Sequence, residues 1–380
     1  MNLRLCNHPL LWCLLFLALA ELLVRGLWPM VEPGPGASPA RNPFFRRGWP
    51  EHTNTAGTGP RRIVLIGNSQ LYGREVGPDD VVSAELQRLL DQLSGTGAQQ
   101  RWTVENWGAP GGLGHDQMLL CAKALQTGPE LVILAPMSNN YGSSVSASRI
   151  GFSALDIPLL AGEPGVLAQL PWDYVRATIS LEEGLRFVFT RHCALLRVAG
   201  LLWDAAQRYC DWDFSLLYGT GGFRQETYWK EPPCRGESAP SLASLRAERG
   251  EVPFQPVPQL EEQQESSGCF EPVQQRIAAQ PLDEQLFAHL AAVLSRRDRT
   301  RVLFAFMPLC PALMDAGSRQ AILESAQSAR RLLDPGIPVW DLTDSIDPLR
   351  FYTFSHFDAQ GHRQYARLLL DRLLQAGLVY

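Results

Sequence analysis

A doubly wound α/β fold is predicted for this chain: three layers built on about five parallel strands, interrupted by a helical and loop-rich insertion. Two observations predict it. Short, wholly apolar runs, such as those in "RIVLIG" (62–67), "ELVILAP" (130–136) and "VLFAFMP" (302–308), read as strands buried on both faces. Amphipathic stretches of helical period lie between them, as strand–helix–strand crossovers require.

The start of the chain is of another kind. Residues 1–29 carry Arg4 and then an almost unbroken apolar run from Pro9 to Ala20, interrupted afterwards only by Glu21 and Arg25. Ala18-Leu19-Ala20 fits a small-x-small cleavage site, so the segment reads as a removable signal peptide. It reads equally as a signal anchor from Leu10 to Trp28, and the return of apolar residues after Ala20 favours the anchor. A buried amphipathic helix fits worst, because the leucines show no pattern. Arg41, Arg46 and Arg47 lie beyond the segment, so the positive-inside count does not fix its orientation. Residues 30–60, rich in Pro, Gly, Ala and Arg, form a flexible linker. Residues 61–380 form the folded domain.

Within that domain the elements follow in order. Ile63–Ile66 is the first strand, and "PDDVVSAELQRLLDQL" a helix with an acidic start. "WTVENWG" (102–108) is the second strand, followed by a helix from Asp116 to Leu125 and by the third strand at 130–136. Residues 143–272 then break the alternation, first with helical segments and then with the loop-rich, Glu/Gln-rich stretch of 206–272. They read as a cap on the sheet. The pattern resumes with a helix from Asp283 to Arg296, the strand at 302–308, a helix from Arg319 to Leu333, the strand "IPVWDL" (337–342) and a last helix from Ala359 to Leu374.

Composition narrows the function. The chain has 380 residues, 46% of them hydrophobic, with a formal net charge of −5 and no long basic run, so the basic footprint of a nucleic-acid binder is missing. Its 8 cysteines include no C-x-x-C pair, which leaves structural zinc and thioredoxin-like chemistry without support. Cys210, Cys234 and Cys269 share one irregular stretch, where export would make a disulfide plausible. For Cys121, Cys193 and Cys310 the expectation is a free thiol.

Four stretches at strand ends carry the candidate chemistry. In "IVLIGNSQLYG" (63–73) the first strand stops at Gly67-Asn68-Ser69, the place where open α/β sheets bind ligands. Ser69 there is a helix cap or, given a histidine and oxyanion donors, a nucleophile. "NWGAPGG" (106–112) places Gly108 and Gly111 after the second strand, where glycine lets the backbone approach a ligand. "PMSNNYG" (136–142) places Asn139 and Asn140 after the third, and an asparagine amide is a fit oxyanion donor. "YTFSHFDAQGH" (352–362) supplies His356, with Asp358 as the cap of the last helix. His115 reads as a surface residue at a helix start.

Taken in chain order, these blocks resemble the SGNH (GDSL-type) hydrolase superfamily. The strand ending in Gly-Asp-Ser is similar to "VLIGNSQ", with Asn68 for the Asp. The Asn-x-Gly-x-x-Gly block falls on Asn106, Gly108 and Gly111. The third block falls on "PELVILAPMSNN", with Met137 for its glycine and Asn139 for its asparagine. The last falls on His356 and on Gly361-His362, with Thr353 where the family has its acid. The resemblance covers 62–142 and 301–375. It implies Ser69 as nucleophile, His356 as base, Gly111 and Asn139 in the oxyanion hole, and Asn68, Gly108 and Thr353 in support, with no metal and no cofactor. Asp341 and Asp344 are candidates to replace the missing acid.

The implied activity is that of a serine esterase or O-acyltransferase on ester-linked acyl groups, with an acylated carbohydrate or small ester as substrate. The anchor reading makes the chain similar to relatives held in the cell inner membrane by a single N-terminal pass. In those the domain lies in the periplasm beside a membrane-bound O-acyltransferase partner that modifies surface glycans. The alternative is a non-catalytic member of the fold that serves binding or assembly, which Thr353 and Met137 fit.

Overall fold

The computed structural model describes residues 9–27, 61–73, 76, 78–94, 101–109, 114–137, 157–193, 283–310, 316–351 and 355–379. Arg61–Gly67 (β1), Trp102–Gly108 (β2), Leu131–Ala135 (β3), Arg301–Phe306 (β4) and Val339–Asp341 (β5) form one parallel sheet in the order β2-β1-β3-β4-β5. The doubly wound α/β architecture and the five strands are as the sequence predicts. Central strands explain the unbroken apolar runs: Ile63, Val64, Leu65 and Ile66 are all fully buried, each contributing about 1.5–3 kcal/mol by leaving water.

Two layers of helices cover the sheet. Gly114–Thr127 (α4), Glu284–Leu294 (α8) and Ala316–Leu332 (α9) pack with Val64, Ile66, Val132, Leu134 and Phe304 on one face. Val82–Ser94 (α3) and Ala359–Gln375 (α10) pack with Ile63, Leu65, Ile133 and Leu303 on the other. The alternation of one strand's residues between the two cores follows directly from the period-2 pleat. β5 is shorter than the apolar run 337–342 suggests. Pro338 has no N–H for the ladder, and the Ile337 N–H turns back to the Asp334 carbonyl at 2.8 Å.

The one charged residue of β2, Glu105, is held from two sides. Arg62 Nε donates to Glu105 Oε1 at 2.7 Å, and Trp107 Nε1 donates to Glu105 Oε2 at 3.1 Å. A buried carboxylate satisfied from two sides is tolerable where an unpaired one is not.

The described part of the middle third comprises Pro164–Leu167 (α5), Trp172–Thr178 (α6) and Leu181–His192 (α7). Leu160, Val166, Tyr174 and Phe187 enter the same hydrophobic cluster as α4 and α8. Lys123 Nζ meets Glu163 Oε2 at 2.6 Å, with both side chains nearly buried, which ties α4 to the entry of α5. Cys121, Cys193 and Cys310 are free thiols, and burial pushes the Cys121 thiol up, away from the reactive thiolate. Cys210, Cys234 and Cys269 lie outside the described residues, as does the linker.

Pro9–Leu27 forms helix α1, of 19 residues. Leu15, Phe16, Leu17, Leu19, Leu22 and Leu23 are exposed along it. Among the described residues, no helix is long and apolar enough to cross a membrane.

Candidate active site

The strand order places a topological switch point between β1 and β3, since the chain leaves β1 first to β2 and later to β3. In sheets of this order, ligands bind in the crevice beyond the carboxyl ends of those strands. Ser69 lies there, two residues past Gly67, and opens the short helix Ser69–Tyr72 (α2). The turn is built by its own residues. Asn68 has extended backbone and caps α2, its Oδ1 accepting from the Gln70 N–H at 3.0 Å. Gly73 ends the helix in the left-handed conformation, φ 68°, and its N–H donates to the Ser69 carbonyl.

Neighbouring strands hold α2 in place. Asn106, at the end of β2, donates from Nδ2 to the Leu71 carbonyl at 2.9 Å and accepts at Oδ1 from the Gly108 N–H at 2.8 Å. Gly108 lies so close to α2 that a Cβ would stand 2.5 Å from the Tyr72 nitrogen. From the other side, the buried Gln70 donates through Nε2 to the Pro308 carbonyl beyond β4, reaching past the end of β3. The roles of Asn106 and Gln70 as fasteners of the nucleophile turn were not read from the sequence. A large amide directly after the candidate nucleophile, in the first turn of a four-residue helix, is the signal that could have marked Gln70.

His356 comes from the segment between β5 and α10. An isolated antiparallel bridge joins Phe351 to Phe357, so the chain doubles back around the histidine. Asp358 caps α10, accepting from the Gly361 N–H at 2.7 Å, while its other oxygen faces Arg350 Nη1 at 3.5 Å. Gly361 permits the tight return: a Cβ there would lie 2.8 Å from the Phe357 Cβ and 2.9 Å from the Arg350 carbonyl oxygen. The outcome is a contact across 287 residues of sequence. Ser69 Oγ lies 2.8 Å from His356 Nε2, with the imidazole buried and the serine partly open to solvent.

That distance is the hydrogen bond through which a general base takes a hydroxyl proton. For Nε2 to accept it, the proton of the neutral ring must sit on Nδ1. Of the expected substitutes for the acid, Asp341 makes a local turn with one of its two oxygens: Oδ1 accepts from the Thr343 hydroxyl at 2.7 Å and from the Thr343 N–H at 3.1 Å. Asp344 is exposed, and Asp358 serves α10 and Arg350, the cap role expected of it. Gly111, Asn139 and Thr353 lie outside the described residues.

His115 requires a correction. It does begin α4 but is buried, not at the surface: Nδ1 lies 2.9 Å from the Tyr174 hydroxyl, and the two rings stack with centroids 5.7 Å apart. Tyr174 belongs to α6 of the middle third, so the sequence of α4 alone could not show what covers His115. Burial also pushes the Tyr174 phenol up, so it stays a neutral hydrogen-bonding group.

The rim thus carries the first and last blocks of the resemblance in contact. Ser69 and His356 meet as it implies. No family model matches the chain, and no curated protein matches it. Among solved structures, the fold is similar to a carbohydrate acetylesterase family member from Sinorhizobium meliloti, at 12% identity and a TM-score of 0.34 over 83% of this chain and 99% of that one. It is also similar to the aryl esterase of M. smegmatis, at 13% identity and a TM-score of 0.35 over 83% and 99%. A member of the lipolytic protein G-D-S-L family from Veillonella parvula matches at 10% identity and 0.34, over 82% and 97%.

Proposed function

We propose that the chain is a serine ester hydrolase or O-acyltransferase of the SGNH/GDSL type, working through an acyl-Ser69 intermediate. The observation that carries this reading is the 2.8 Å contact between Ser69 Oγ and His356 Nε2 at the sheet's switch point. Ser69 attacks the ester carbonyl as His356 takes its proton. The tetrahedral oxyanion is held by the N–H groups of Ser69 and Gly111 and by the Asn139 amide, as the resemblance implies. The bond to the leaving alkoxide then breaks, and the alkoxide leaves with the proton carried by His356. Water, or a sugar hydroxyl in a transferase, next gives its proton to His356 and takes the acyl group from Ser69, and His356 returns that proton to the departing Ser69 Oγ.

The test is covalent labelling. A fluorophosphonate probe adds once to the full chain, as read by intact mass, and Ser69→Ala removes the adduct. Unchanged labelling of Ser69→Ala would sink the assignment. A chain that labels nowhere, even though folded, speaks for the non-catalytic binding or assembly reading.

The rest of the proposal concerns place and substrate. Helix α1, apolar and exposed, holds the domain at the inner membrane, with residues 61–380 in the periplasm and the acyl groups of a surface glycan as substrate. An alkaline-phosphatase reporter joined after residue 60 is then active and sediments with membranes. A soluble, inactive fusion counts against both the export and the tether.

A further inference from the structure

We propose that Met137 is a specificity-determining residue that closes the acyl side of the site and restricts the enzyme to acetyl-sized acyl groups. The inference rests on the Ser69 nucleophile proposed above.

Register brings Met137 to the same end of the sheet as the nucleophile. Gly67 of β1 pairs with Ala135 of β3. Ser69 and Met137 each lie two residues further on, at the same switch point. The Gln70 side chain spans the end of β3 to reach the Pro308 carbonyl, and the Met307 N–H donates to the Pro136 carbonyl at 3.0 Å. These two bonds hold the rim segments on either side of Met137. Its side chain is partly buried and packs with the buried Leu309 and Ile322 in a small apolar cluster separate from both main cores.

The position of His356 decides which part of an ester meets this wall. The histidine must return its proton to the leaving oxygen, so the alcohol lies on the histidine's side. His356 leads into α10, which covers the same sheet face as α3. Ile322 belongs to α9, which covers the opposite face. With the alcohol toward α10, the acyl group points toward α9, where Met137, Leu309 and Ile322 stand. A methionine in place of the family's glycine fills the room that a longer acyl chain would occupy.

The experiment compares p-nitrophenyl acetate, butyrate and hexanoate on the full chain and on its Met137→Ala and Met137→Phe variants. Met137→Ala raises the butyrate-to-acetate ratio of kcat/KM about tenfold, since each methylene admitted to an apolar pocket is worth at least that order. Met137→Phe lowers the ratio. The same order holds for labelling of Ser69 by short- and long-alkyl fluorophosphonates, which keeps the test open where turnover is slow. Ratios unchanged in both variants, with labelling intact, overturn the proposal. A folded wild type that no probe labels would overturn the nucleophile reading itself, and this inference with it.

Discussion

His356→Ala lowers ester turnover by about 10⁴- to 10⁶-fold, the loss seen when one member of a catalytic serine–histidine unit is removed. The imidazole is the group within reach of the Ser69 hydroxyl proton, at 2.8 Å, and alanine leaves the serine at its ordinary, weakly nucleophilic pKa. A small p-nitrophenyl ester is the substrate, and circular dichroism shows whether the fold persists. Thr353→Asp runs the other way. Asp341 and Asp358 are engaged by Thr343, Arg350 and the start of α10. An added carboxylate at the position of the family's acid supplies charge beside the ring, and the gain is smaller where Asp341 or Asp344 already does so. Turnover rises, by up to about 10⁴-fold if the imidazolium had no ionic support at all. A His356→Ala protein as active as wild type refutes the dyad. Equal inertness of wild type and Thr353→Asp towards small esters and acylated glycans alike favours the non-catalytic reading.

Much of the rim was legible because local chemistry determined it. The apolar runs of β1, β3 and β4 could only be strands buried on both faces. The Gly67-Asn68-Ser69 break marked the end of β1, but the cap role the sequence offered to Ser69 belongs to Asn68, and Ser69 is the first helical residue. Asp358 was readable as a cap from its place before a helical stretch. Contacts between distant segments were not legible in this way. His115 has the sequence context of an exposed helix start, and its burial comes from Tyr174, 59 residues away. The turn that Asp341 makes with Thr343 was likewise not legible. Gln70 and Asn106 work through the carbonyls of Pro308 and Leu71, and the sequence does not show which backbone group an amide side chain reaches. The Ser69–His356 pairing was legible only because four blocks in order resembled one superfamily; neither residue alone distinguishes a nucleophile from a cap.

Gly108→Ala cuts the rate of fluorophosphonate labelling by about 10²-fold or more, although Gly108 touches neither reacting group, because a misplacement of about 1 Å carries that penalty. The added methyl would stand 2.5 Å from the Tyr72 nitrogen and 2.9 Å from both the Leu71 carbonyl carbon and Asn106 Oδ1. Two of those three atoms are backbone of α2, so no side-chain rotation relieves the clash. The third is the atom that accepts from the Gly108 N–H. Either α2 moves away from β2 or the Asn106 bridge to Leu71 breaks. Both displace Ser69 from His356, because α2 has only four residues and Ser69 is the first. Overpacking of this kind also destabilises by about 1–3 kcal/mol, so Tm is measured beside the labelling rate. Asn106→Ala in the Gly108→Ala background provides the control: it removes the 2.9 Å oxygen contact but not the clash with α2, and so leaves labelling slow. Wild-type labelling by Gly108→Ala would mean that the nucleophile turn is not held by β2, and that its geometry comes from Asn68 and Gln70 alone.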